Sequence, residues 1–179
     1  MEKVDLKIKD ITNENLDEIP EPCKSCVYWE YPEGFGKISV EEAFRKKKEW
    51  FKNALEGFGT CGKIAYVNEK PVAYSQYAPP KLLLQTESYG SKKLDTSEGT
   101  IFLSCLFITS PKHRGKGLGS KILKEIISEL KNRKFKALET FARVGSANNP
   151  SGPAEFFLRH NFHVKEKISS EYVLVRLEL

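Results

Sequence analysis

Residues 100–122 read TIFLSCLFITSPKHRGKGLGSKI, and this stretch decides the fold. Its first ten residues are almost all apolar, as in a strand covered on both faces. From His113 the character changes. Gly115, Gly117 and Gly119 alternate with other residues, and Arg114 and Lys116 sit among them. At Leu118 a helical stripe begins, made of Leu118, Ile122, Leu123, Ile126, Ile127 and Leu130. It predicts a helix from about Gly117 to Asn132. Residues 135–141, FKALETF, supply another strand. Strand, glycine loop, helix and strand make one right-handed parallel βαβ unit.

Upstream, Lys63–Val67 and Val72–Ala78 flank Asn68-Glu69-Lys70 as a β-hairpin, and Pro79-Pro80 stops it. Residues 81–99 show no clear period. Ser39-Val40-Glu41-Glu42 is a capping box, in which the serine and the glutamate satisfy free amides reciprocally. It predicts a helix with the stripe Val40, Ala43, Phe44, Lys47, Phe51, Ala54, Leu55 and Phe58, ended by Gly57 and Gly59. Lys47 is the one polar break. Val4–Ile11 alternates as a half-buried strand does. Residues 12–36 read as loop, with a short helix over Asn13–Ile19. Downstream, a turn over Gly145–Gly152 leads to a short helix with Pro153 as its first residue. Strands Phe162–Ile168 and Tyr172–Leu177 close the chain through Ser169-Ser170. The fold class is α/β (α+β) in a single domain, residues 1–179. Its sheet is mixed, mostly antiparallel and seven-stranded, with helices on both faces and a central parallel βαβ unit.

Composition narrows the function. Forty per cent of residues are apolar, enough for a core. No apolar run approaches the roughly 18 residues of a membrane span. The start, MEKVDLKIKD, is no signal peptide. A cytoplasmic protein with no membrane partner is expected. The net charge of +5 is uneven: residues 110–136 carry nine Lys or Arg against two Glu, and residues 1–36 carry nine acids against four Lys. The basic part coincides with the glycine loop, a field suited to a polyanionic ligand. Few aromatics interleave it, so nucleic acid is not expected as a partner. The four cysteines, Cys23, Cys26, Cys61 and Cys105, are expected as reduced thiols.

Three phosphate-loop templates compete for the glycines. The Walker pattern fails at Leu118 and Ser120, and the dinucleotide fingerprint fails at Ser120. Arg-x-x-Gly-x-Gly fits Arg114, Gly117 and Gly119. Glycines let the backbone approach an anion, and free amides at a helix start point at it. Arg114 and Lys116 add charge-assisted contacts.

Phe107–Ser120, FITSPKHRGKGLGS, resembles motif A of the GNAT superfamily of acyl-CoA-dependent N-acetyltransferases. Pro111 stands three before Arg114, as in V-x-P-x-x-R-G-x-G-x-G, with Thr109 in place of the valine. Phe156–Phe162, FFLRHNF, is similar to the family's F-Y-x-K-x-G-F. The resemblance covers essentially the whole chain. It implies two central strands that splay into a V, and acetyl-CoA as co-substrate with no metal. The backbone of Phe107, Ile108 and Thr109 would bond the pantetheine arm. Arg114, Gly115, Lys116, Gly117, Leu118, Gly119 and Ser120 would wrap the pyrophosphate. Asn149 lies one residue away from the family's pantetheine-binding asparagine. The N-terminal region would border the acceptor site, with Tyr28, Trp29 and Glu30 as pocket residues and the acidic terminus drawing a cationic amine.

The implied reaction is direct attack of a small-molecule or peptide amine on the thioester. It needs a neutral amine, a stabilised carbonyl oxygen and a proton for the departing thiolate. The family's usual tyrosine acid is Phe157 here, which has no proton to give. The catalytic residues stay unknown, with Cys105, Glu139 and His160 as candidates. A non-catalytic acyl-CoA sensor on the same fold is the alternative. Cys23 and Cys26 stay open between packing, zinc and redox roles. A homodimer paired through the C-terminal strands also stays open.

Overall fold

The computed structural model describes residues 5–179. The strands are β1 (Leu6–Asp10), β2 (Gly62–Val67), β3 (Lys70–Ala78), β4 (Thr100–Ile108), β5 (Ala137–Arg143), β6 (His163–Lys167) and β7 (Tyr172–Glu178). The helices are α1 (Val40–Gly57), α2 (Leu118–Asn132) and α3 (Ala154–Leu158). The seven strands form one sheet in the order β1-β2-β3-β4-β5-β7-β6. Among these strands only β4 and β5 pair in parallel. Val4, expected to begin the first strand, lies outside the described residues.

The sheet divides two apolar layers. On one face α2 and α3 cover Ala73, Leu103, Leu106, Leu138 and Val175. On the other, α1 and the N-terminal turns cover Ile64, Tyr74, Phe102, Phe141 and Leu174. β4 is buried from Thr100 to Leu106 because both faces are covered. The α2 stripe packs as expected, with Leu118, Ile122, Leu123, Ile126 and Leu130 buried.

β4 and β5 share three rungs, Thr100 with Ala137, Ile101 with Leu138 and Phe102 with Glu139. Beyond them the strands fork. Thr140 Oγ1 donates to the Leu103 carbonyl at 2.7 Å, and Leu106 N–H donates to the Pro150 carbonyl at 3.0 Å. Side chain and loop thus take the bonds that a continuing ladder would make, so buried backbone groups stay satisfied. On the other side of β4, β3 carries a register shift between Gln76 and Tyr77.

Some local expectations change. Asn13–Ile19 holds only a 3-10 turn, Leu16–Glu18. Asn15 accepts from Thr12 N–H at 2.8 Å and donates to the Asp10 carbonyl at 2.9 Å, so its side chain competes with a helix for the backbone. Ser39 accepts from Glu42 N–H at 3.1 Å, but the Glu42 carboxylate pairs with Arg45 at 2.6 Å. Half of the capping box is made. Val40 points to solvent, 61% exposed. Pro153 caps α3 from outside, with ψ at 151°. Residues 79–99 form two 3-10 turns, Pro80–Leu82 and Leu84–Tyr89, anchored by the fully buried Leu83 and by Trp50 Nε1 donating to Leu82 O at 2.8 Å.

Candidate functional site

The glycine loop stands at the open end of the fork. Gly115 and Gly117 have φ of 69° and 80°, a region costly to side chains. No atom lies within 4 Å of where their Cβ atoms would sit. The backbone is therefore bare toward solvent. Gly117 caps α2 with no side chain on its first amides, leaving those donors for an anion. Arg114 lies across the mouth. Its Nε donates to Ile108 O at 2.9 Å, and its guanidinium lies 5.3 Å from the Phe107 ring centre.

Behind the loop is a cleft of about 260 Å³. Leu106, Phe107 and Ile108 form one wall, Arg114, Gly115 and Gly119 its mouth, and Ala147, Asn149, Pro153 and Phe156 the far side. Along β4 the N–H groups alternate in direction. Leu106 N–H reaches the fork side and Thr109 N–H reaches Val72 O on β3 at 2.9 Å, so the Ile108 N–H faces the fork. Asn149 is fixed by its amide nitrogen, which donates to Phe141 O at 3.0 Å, Ser151 Oγ at 3.1 Å and Gly152 O at 3.1 Å. Two carbonyls on one side settle which atom is nitrogen. The Asn149 oxygen is buried and has no partner among the described residues. Such an atom costs about 1–3 kcal/mol unless a donor arrives.

Phe107, Ile108, Arg114, Gly115, Gly119 and Asn149 thus meet in one cleft. Others on the expected list do not. Thr109 spends both its N–H and its hydroxyl on Val72 O, at 2.9 and 3.0 Å. Leu118 sends its side chain into the core. Lys116 lines a second groove on the opposite side of the loop, of about 650 Å³, with Lys70, Lys112, His113 and Lys121. Gly117 and Ser120 offer backbone at the α2 start.

The catalytic candidates are occupied. Burial pushes the Cys105 thiol well above its ordinary range, against the pull of Lys47, so it is no ready nucleophile. Glu139 is fully buried and accepts from Lys165 at 2.6 Å, Arg176 at 2.9 Å and Asp95 N–H at 3.0 Å. It is a structural hub, not an open base. His160 Nδ1 sits 2.7 Å from Phe156 O and its ring packs on Phe156. Phe157 is fully buried in the α2–α3 layer, and Phe156 is the ring that borders the cleft.

The acceptor expectation is corrected in part. Glu30 is 7% exposed; its Oε1 accepts from Lys47 Nζ at 2.5 Å and Gln76 Nε2 at 2.7 Å, while its Oε2 is buried without a partner among the described residues. Buried against Lys47, it does not line the cavity beside Tyr28. Trp29 is buried. Tyr28 does line a cavity of about 350 Å³, with Ser88, Tyr89, Ile168, Ser169 and Tyr172. Sequence reading missed Tyr89 and Tyr172. Their only signal was two tyrosines, one in a stretch without period and one on a closing strand. Cys23 is buried, its thiol pushed up to about 12 by desolvation. Among the described residues no group of three His, Cys, Asp or Glu is placed to hold a metal, and no helix is long and apolar enough to cross a membrane.

Residues 21–162 match the profile of the Acetyltransferase (GNAT) family. The structure resembles the PaiA N-acetyltransferase of Thermoplasma acidophilum, solved in complex with coenzyme A: 13% identity, TM-score 0.63, covering 98% of this chain and 99% of that one. It resembles YncA of Salmonella typhimurium, a putative acetyltransferase solved with acetyl-CoA, at 16% identity and TM-score 0.61, covering 97% and 94%. It also resembles the ribosomal-protein-alanine N-acetyltransferase of Brucella melitensis, at 19% identity and TM-score 0.59, covering 97% and 99%. At such identities these likenesses carry the fold alone. No curated protein matches the sequence.

Proposed function

The chain belongs to the acetyltransferase (GNAT) family, and from that premise we propose that it transfers an acetyl group from acetyl-CoA to the amine of a small molecule or peptide, by direct attack on the thioester. One observation carries the reading. The fork between β4 and β5 holds a buried acceptor without a partner, Asn149 Oδ1, behind a loop of uncapped amides. Pantetheine carries amide donors and acceptors, and pyrophosphate suits the loop. Ile108 N–H and Asn149 Oδ1 would hold the arm. Arg114 and the amides from Gly115 to Ser120 would hold the phosphates.

The cavity on the α1 face, walled by Tyr28, Tyr89, Tyr172 and Ile168, is the acceptor site in this reading. No charged side chain lines it. Calorimetric titration of CoA tests the donor half. Arg114→Ala is expected to weaken binding roughly ten- to hundredfold, the worth of a hydrogen bond to a charged group. Absence of CoA binding by the wild type would overturn the reading. Thiol release from acetyl-CoA across alkyl amines, aryl-alkyl amines and an alanyl peptide tests the transfer half. Tight CoA binding with no turnover on any amine would favour the non-catalytic acyl-CoA-binding module instead. The burial of Phe157 and the commitment of Glu139 are what keep that second reading in play.

A further inference from the structure

The groove on the other side of the glycine loop takes no part in the acyl-transfer reading. It is larger than the cleft, about 650 Å³ against about 260 Å³. We propose that it is a second anion site, separate from the cleft, for a nucleotide-sized ligand that carries two or more adjacent phosphates. The inference goes beyond the acyl-transfer reading and does not depend on it.

The charge comes from two segments that face each other. The turn between β2 and β3 supplies Lys70, and the segment from β4 into α2 supplies Lys112, His113, Lys116 and Lys121. No acid lines the groove. The ion-paired lysines are Lys7, Lys47, Lys63 and Lys165. Among the described residues the four groove ammonium groups therefore have no carboxylate partner. The neighbouring acids are turned elsewhere. Asp5 pairs with Lys7 at 2.9 Å. Glu69, beside Lys70 in the chain, lines another depression with Lys7 and Lys9. Glu125, four residues past Lys121, lines a third. Unpaired like charges gathered in one concavity repel each other and raise the local potential, so a multivalent anion is what relieves them. Lysine serves phosphate as a point charge. Leu6, Val67, Val72 and Leu118 add apolar lining, which suits a nucleoside, and the volume falls within the range of roughly 300–1,000 Å³ usual for small-molecule sites.

The loop divides its side chains between the two sites. Arg114, Gly115 and Gly119 line the cleft, and Lys112, His113, Lys116 and Leu118 line the groove. Between the sites β3 pairs with β4 as far as Ala73 with Ile108, and Thr109 extends that seam through its N–H and hydroxyl on Val72 O, at 2.9 and 3.0 Å. A ligand in the fork between β4 and β5 and an anion in the groove thus lie on opposite sides of β4, and both sites fill at once.

Calorimetric titration of inorganic tripolyphosphate and of ATP, each into free and into CoA-saturated protein, tests this. CoA-saturated protein is expected to bind one equivalent of either probe. Lys70→Ala combined with Lys121→Ala should weaken that binding by about tenfold or more, as for a lost hydrogen bond to a charged group. Its CoA affinity and melting temperature should stay close to wild type, because neither lysine lines the cleft. Tighter binding of ATP identifies a nucleotide as the ligand, and tighter binding of tripolyphosphate an inorganic chain. Failure of both probes to bind the CoA-loaded protein would overturn the proposal, as would undiminished binding by the double variant. So would a double variant that loses affinity for CoA but not for dephospho-CoA, since the groove would then seat the 3′-phosphate of the cofactor itself. A wild-type protein that binds no CoA removes the acyl-transfer reading alone. The probes titrated into free wild type and free double variant still decide the groove.

Discussion

Lys47 is where a single residue most changes what the sequence suggested. It was the one polar break in the apolar stripe of α1, and the sequence offered no partner for its charge. In the fold it is 1% exposed, held by Glu30 at 2.5 Å, the Cys26 carbonyl at 2.7 Å and Gln76 Oε1 at 3.1 Å. Desolvation pulls its pKa down, but Glu30 and its other neighbours outweigh that and hold it above the ordinary 10.5. A raised pKa means the ion pair stabilises at neutral pH and is lost only as pH climbs through the folded value. Lys47→Ala strands a buried carboxylate and is expected to cost about 3–5 kcal/mol. Lys47→Met combined with Glu30→Leu should recover most of that, since removing both charges removes the desolvation cost too. Urea midpoints of the three variants check this. A Lys47→Ala protein within 1 kcal/mol of wild type (about one ordinary hydrogen bond) would contradict it.

The two long helices start in opposite ways, and the difference separates stability from binding at the scale of elements. α1 begins with a side-chain cap, Ser39 on Glu42 N–H. α2 begins at Gly117 with no side-chain cap. Ser39→Ala is expected to cost about 1 kcal/mol of stability and to leave CoA affinity unchanged, because that end of α1 serves only the fold. A thermal melt beside a CoA titration reads both. A change in affinity without a change in melting would refute the division. The open start of α2 lowers the helix's own stability and keeps its amides free for an anion. That much was legible in Gly115, Gly117 and Gly119. The opening on the far side of the fork was not, because it depends on loop 144–153 and on Thr140 reaching across to β4.

Over the whole molecule, the segment 79–99 ties the sheet together far from its own strands. Asp95 accepts from Thr100 Oγ1 at 2.6 Å and from Arg176 on β7 at 3.0 Å, and Arg176 also binds Glu139 on β5 at 2.9 Å. The Thr100 hydroxyl above all, with the Ser97 amide and Arg176, holds the Asp95 carboxyl well below the usual carboxylate range. A depressed pKa contributes stability that is complete above the unfolded value, about 3.9, and is lost as pH falls beneath it. Stability should therefore decline below roughly pH 4, and Asp95→Asn should flatten that decline. Urea midpoints from neutral pH to about pH 2 measure it, and equal acid slopes in both proteins would refute the assignment. Much of the molecule was present in the sequence. Residues 100–130 determined the central strand, the glycine loop, the α2 stripe and the helix start without a side-chain cap, because periodicity, glycine freedom and uncapped amides are local properties. Tertiary structure decided the rest. It buried Phe157, Glu30 and Glu139, which sequence alone left available. It brought Tyr28, Tyr89 and Phe141 together from three segments far apart in the chain. No local pattern records which distant side chains a fold places side by side.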